Sequence, residues 1–100
     1  MIVYNVTIKV DNEVTDAWVN WMKSEHMPEL MSTGLFIDCR LCRLLEQDEV
    51  EGVTYTAQYS LAGMDQYNDY IETHAEKMRD KSFKLFGGKF AAFRTVMEVI

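Results

Sequence analysis

The chain predicts an α+β fold in the order βαββαβ, with a four-stranded antiparallel sheet and two helices on one of its faces. Three observations carry this expectation. Apolar residues alternate with period two from Ile2 to Val10 and again from Val53 to Leu61, the spacing of half-buried strands. After each of these runs the apolar period becomes helical. An acidic turn, Glu46-Gln47-Asp48-Glu49-Val50-Glu51-Gly52, joins two strand-like segments into a β-hairpin.

In the first strand Ile2, Tyr4, Val6, Ile8 and Val10 form one face and Val3, Asn5, Thr7 and Lys9 the other. From Glu13 onward Val14, Ala17, Trp18, Trp21 and Met22 trace a helical stripe, with Asp11 or Asn12 available as its N-cap. Pro28 denies its neighbours a backbone donor and the apolar phase moves to Met27, Leu30 and Met31. The first helix is therefore expected to kink or restart there before Gly34 ends it. Leu35 to Leu45 supplies the second strand and Val53 to Leu61 the third, with Tyr55, Ala57, Tyr59 and Leu61 opposite Thr54, Thr56, Gln58 and Ser60. Met64, Tyr67, Ile71, His74, Ala75 and Met78 mark a second helix starting near Asp65. Gly87-Gly88 breaks the chain before a last strand from Phe90 to Ile100. Such a string folds through right-handed crossovers into a ferredoxin-like arrangement, with the first and third strands central.

The 100 residues, 48% of them hydrophobic, suffice for one core and leave no room for a second domain, so a single ferredoxin-like domain spans residues 1–100. With 16 acidic against 10 basic residues, the net charge of −6 argues against nucleic acid and against an anionic membrane surface as partners. No apolar run approaches the roughly 20 residues of a membrane span, and Met1-Ile2-Val3-Tyr4-Asn5 lacks a signal-peptide pattern, so the expected location is cytoplasmic. Cys39 and Cys42 have CxxC spacing but fall in a strand, where residues three apart point to opposite faces. They are expected to be two separately packed thiols, and no metal site follows from them.

The sheet face away from the helices is the informative surface. It should carry Asn5, Thr7 and Lys9 from the first strand and Thr56, Gln58 and Ser60 from the third. Arg94 and Glu98 join them if Ala91, Phe93, Met97 and Val99 lie beneath the helices, and the second strand adds Asp38 and Arg40 if its phase allows. Val3, Ala92 and Val96 would then interrupt a polar face with apolar side chains. That mixture suits a surface partly buried against a second copy, two sheets enclosing a polar-lined cavity. The alternative is an ordinary solvated face, common in antiparallel sheets.

The segment Trp18-x-x-Trp21-Met22-Lys23-x-Glu25-His26-x-Pro28, the run Cys42-Arg43-Leu44-Leu45 and the closing Phe90-Ala91-Ala92-Phe93-Arg94-Thr95 resemble an uncharacterised bacterial family of the dimeric α+β barrel superfamily. The resemblance covers nearly the whole chain and implies fold and homodimer, while that family carries no assigned activity. Wider relatives include cofactor-free monooxygenases, haem-degrading enzymes, cyclases, isomerases of the EthD kind and sensor domains of transcription factors. His26 with Pro28 is similar to the His-x-Pro of EthD-like proteins. Asn5 and His74 match by residue type and element two of the three residues that haem-degrading relatives use, the third being a Trp in place of which the third strand offers Tyr55 and Tyr59.

The residues themselves leave several roles open. His26, flanked by Glu25 and Glu29, is expected either as a general base with raised pKa or as a capping histidine near a helix end. His74 on an apolar stripe is a catalytic candidate or a core residue bonded to backbone. Trp18 and Trp21 are expected as core anchors. Arg40 and Arg94 are candidate anion-recognition groups, with pairing to Asp38 or Glu98 as the alternative. The candidate ligand-binding set is thus Asn5, Thr7, Arg40, Thr56, Gln58 and Arg94, and the catalytic candidates are His26 and His74. The sequence calls for no cofactor. Three functions remain open: a dimeric module binding a small anionic or aromatic compound, a cofactor-independent monooxygenase, isomerase or cyclase, and a scaffold dimer.

Overall fold

The computed structural model describes residues 1–100. Its elements are β1 (Ile2–Asp11), α1 (Thr15–Trp21), α2 (Met27–Ser32), β2 (Asp38–Arg43), β3 (Gly52–Leu61), α3 (Met64–Thr73), α4 (Ala75–Phe86) and β4 (Phe90–Glu98), with a π-helical turn at Met22–His26 between α1 and α2. The four strands form one antiparallel sheet in the order β2-β3-β1-β4, so β1 and β3 are central as the sequence predicts. Each predicted helix consists of two segments, and both pairs cover the same face of the sheet.

The alternation in β1 and β3 decides which face that is. Ile2, Tyr4, Ile8 and Val10 are buried beneath the helices, and in register opposite them lie Leu61, Tyr59, Tyr55 and Val53. Trp18, Trp21 and Met22 bring the helical stripe onto this surface, with Leu30, Phe36, Tyr70 and Met78 completing one core. Both tryptophans are core anchors, as expected, and their burial is the largest apolar gain the first helical unit makes. Gly52 closes the β3 end of the pairing with Asp11, where a Cβ would lie 2.5 Å from the Val10 carbonyl oxygen, so only glycine permits that approach.

Four local expectations are corrected. Asp11 does not cap α1. Its carboxylate accepts the Glu13 amide at 2.8 Å and closes the preceding turn, while α1 begins at Thr15 without a side-chain cap. The first helix does restart at Pro28, in the first turn of α2 where proline loses no helical hydrogen bond, but proline is not what interrupts it. The irregularity falls one turn earlier, as the π-helical turn, and the backbone stays right-handed helical through it. The second helix is interrupted at His74, whose φ of −122° and ψ of −32° separate α3 from α4. The second strand starts at Asp38 rather than Leu35, although Ile37 already donates to the Ser60 carbonyl at 2.7 Å.

The fifth correction matters most for function. β4 has the opposite phase to the one expected. Its register sets Phe90 against Val10, Ala92 against Ile8 and Arg94 against Val6, so these residues and Val96 lie on the helix side. Ala91, Phe93, Thr95 and Met97 lie on the open face. Both parities of this strand are apolar, so periodicity alone cannot choose between them, and pairing with β1 does.

Candidate functional site

A cavity of about 320 Å³ lies between the helix side of the sheet and the helices. Tyr4, Val6, Ile8, Ala57 and Ala92 form its floor, Trp18, Met22 and Leu30 one wall, and Tyr70 and Met78 the other. Its polar lining is confined to His26, Arg79, Asp80, Ser82, Arg94 and the tyrosine hydroxyls. A mainly apolar concavity with a few placed polar groups is the usual form of a small-molecule site.

Tyr4 organises the floor. Its ring centroid lies 6.0 Å from that of Tyr59, 5.7 Å from Tyr67 and 5.6 Å from Tyr70, tilted against all three. Its hydroxyl accepts a hydrogen bond from Arg94 Nε at 3.1 Å, which fixes the guanidinium at the cavity edge. Arg94 therefore pairs with Tyr4 rather than with Glu98. Burial pushes the Tyr59 and Tyr70 phenols far above their usual range, so both stay protonated and can donate to a ligand.

His26 ends the π-helical turn, and its ring stacks on Trp21 at a centroid distance of 4.5 Å. Burial lowers its pKa to about 4, an effect that the Glu29 carboxylate opposes and Lys81 reinforces. The raised pKa expected from the flanking glutamates is thus corrected: desolvation outweighs them, and Glu29 is itself engaged by Lys81 in an ion pair. Nδ1 is buried and has no hydrogen-bond partner. The side chain is neutral near pH 7 and borders the cavity on one side and an outer cleft with Glu25, Lys81 and Lys84 on the other.

The predicted ligand-binding set is divided between two faces. Asn5, Thr7, Arg40, Thr56 and Gln58 are on the open face, whereas Arg94 lines the cavity on the helix side. On the open face Asn5 Nδ2 donates to Thr7 Oγ1 and to Thr95 Oγ1, both at 3.2 Å, and Asn5 Oδ1 is buried without a partner. Arg40 Nε donates to Gln58 Oε1 at 2.9 Å rather than to Asp38. Phe93 and Met97 stand exposed beside this polar row. His74 stacks on Tyr70 at 6.2 Å in the helical layer and does not line the cavity, so Asn5 and His74 are not brought together and the haem-degrading set is not assembled. Cys39 and Cys42 are free thiols on opposite faces, as expected. Arg79, Asp80 and Ser82 were not singled out by the sequence, where they read as the solvated side of a helix next to Met78.

No group of three or more His, Cys, Asp or Glu side chains converges as a metal-binding cluster would require. No helix is long and apolar enough to cross a membrane.

The whole chain, residues 1–100, matches the family described as a domain of unknown function, DUF4286. The chain belongs to that family. No curated protein matches it by sequence. Among solved structures it is similar to an ethyl tert-butyl ether d (EthD) family protein from Bacillus halodurans, with 13% identity and a TM-score of 0.67 over 100% of both chains. It is also similar to a protein described as an antibiotic biosynthesis monooxygenase, with 10% identity, a TM-score of 0.69 and coverage of 100% of this chain and 99% of that one. A dimeric ferredoxin-like protein from an uncultured marine organism gives 11% identity, a TM-score of 0.69 and coverage of 100% and 95%. At these identities the likeness establishes the ferredoxin-like fold.

The depressed pKa of His26 has a consequence for stability. Unfolded, the imidazole takes up a proton below about pH 6.5, whereas in the folded chain it resists protonation down to about 4. Stability is undiminished above the unfolded value and falls as pH drops through this window, by at most about 3 kcal/mol. Urea unfolding at pH 7, 5.5 and 4 should show this loss in the wild type and a smaller loss in His26→Gln. Parallel losses in both proteins would contradict the burial of a neutral imidazole.

Proposed function

We propose that this protein is a homodimer that binds a small organic compound, anionic or aromatic, in the cavity between sheet and helices of each subunit. The observation that carries the binding reading is the Tyr4–Arg94 pair, a charged donor fixed by a buried phenol at the edge of a mainly apolar cavity. Of the two places expected for the ligand, between sheet and helices or between two facing sheets, this pair favours the first, because Arg94 is on the helix side. The open face serves the dimer instead. Phe93 is 62% exposed and Met97 41% exposed there, next to Val3 and the Asn5 amide whose Oδ1 lacks a partner, and a second sheet would cover all four. A structural neighbour described as a dimeric ferredoxin-like protein supports a dimer.

Native mass spectrometry of the freshly purified protein tests both parts. The expected result is a dimer with a reproducible bound mass, and a Phe93→Glu variant that weakens dimerisation about tenfold or more while keeping that mass. A monomeric wild type at micromolar concentration, or a Phe93→Glu protein as dimeric as the wild type, would overturn the interface. A bound mass that disappears in Phe93→Glu but persists in Arg94→Ala would place the ligand between the sheets.

A second reading, a cofactor-independent enzyme with His26 as base, is favoured by one observation: its imidazole is neutral near pH 7 and borders the cavity. A neutral imidazole can take a proton from a bound compound, though a pKa of about 4 makes it a weak base until the ligand's charge raises it. Under this reading the retained compound is chemically changed on incubation with wild type and recovered intact from His26→Gln. Equal conversion by both would remove His26 from any chemistry.

A further inference from the structure

We infer that the cavity selects a compound with a singly charged carboxylate on an apolar body, its head held at the mouth between Arg79 and Arg94. The inference rests on the binding reading above and adds orientation and chemical class to it. Arg79 comes from α4 and Arg94 from β4, so a helix and the sheet each bring one guanidinium group to the same cavity. Both act electrostatically on the same group, the Tyr70 hydroxyl, where each favours negative charge against the effect of burial. Neither is in a salt bridge, although the chain has 16 acidic residues; the ion pairs present are Arg43–Glu49, Lys81–Glu29 and Lys89–Glu13. Arg94 spends one donor on Tyr4 and keeps the rest of its fork free.

The interior fixes the other end of the ligand. Trp18, Met22 and Leu30 offer no counter-charge, and His26 is neutral there, so a carboxylate driven inward would be desolvated without a partner. An anion is therefore stable only at the mouth, with its apolar part inside. A planar carboxylate matches the guanidinium fork. Asp80 lines the same cavity, so two arginines and one aspartate leave one net positive charge, which matches a carboxylate better than a doubly charged phosphate ester. A volume of about 320 Å³ suits a body the size of a fused bicyclic ring.

Isothermal titration with 2-naphthoate, 2-naphthamide and 2-naphthyl phosphate tests this on the intact protein. The expected result is that naphthoate binds about tenfold or more tighter than the isosteric amide. Arg79→Gln and Arg94→Gln should each remove most of that preference while leaving naphthamide affinity unchanged. Two variants are used because Arg94 also contacts Tyr4, whereas Arg79 makes no such contact. Equal binding of acid and amide by the wild type would overturn the carboxylate assignment and leave the cavity as a ligand site. Tighter binding of the phosphate than of naphthoate would overturn the single-charge limit. No binding of any of the three at millimolar concentration would overturn both the inference and the reading on which it rests.

Discussion

The burial of Tyr4 on the central strand is the constraint on which the remaining features depend. A tyrosine ring in a core contributes a large apolar area, but its hydroxyl must keep a polar partner or lose the cost of desolvation. Here the ring is enclosed by Tyr59 from β3 and by Tyr67 and Tyr70 from α3, which ties the sheet to the second helical unit. The hydroxyl takes its hydrogen bond from Arg94 on the neighbouring strand. One side chain thus sets the spacing of the layers and places a positive charge at the cavity edge. In the proposed site, the polar requirement of the core doubles as the recognition group.

The same sheet presents two different faces. The helix side carries an apolar cavity with its few polar groups at one end and at His26, and the open face carries a row of amides and hydroxyls with Phe93 and Met97 standing out of it. The π-helical turn borders the cavity. Met22, His26 and Leu30, four residues apart along this helical stretch, share one face and all line it, and π-turns recur at functional sites. Pro28 follows at the one position in the next helical segment where its missing donor costs nothing.

The legible and illegible parts of the sequence separate along physical lines. β1 and β3 alternate apolar with polar residues, Val3 being the one apolar side chain on the open side of β1, so their faces, their central place and the side bearing the helices could be read directly. β4 could not be phased, because Phe90 and Ala92 on one parity compete with Ala91, Phe93 and Met97 on the other, and the choice is made by pairing to β1. That single ambiguity moved Arg94 to the wrong face and joined it to Asn5, Thr7, Arg40, Thr56 and Gln58 in one expected site. The interruption at His74 carried no Gly or Pro to announce it. Arg79 was hidden as one polar residue on a mostly exposed helix, and only the convergence of α4 on β4 gives it a partner across the cavity. His26 was found from the chain, but its environment was misjudged, because the flanking glutamates are visible in sequence and the stacking on Trp21 that buries it is not.

The central claim is that ligand enters the helix side of the sheet, and the distribution of methionines allows it to be tested in one spectrum. Met22 and Met78 line the cavity, whereas Met97 stands on the open face. With methyl-labelled methionine and added 2-naphthoate, the methyl resonances of Met22 and Met78 should shift in proportion to saturation while that of Met97 stays in place. Movement of Met97 with Met22 and Met78 unchanged would put the ligand on the open face and contradict the account.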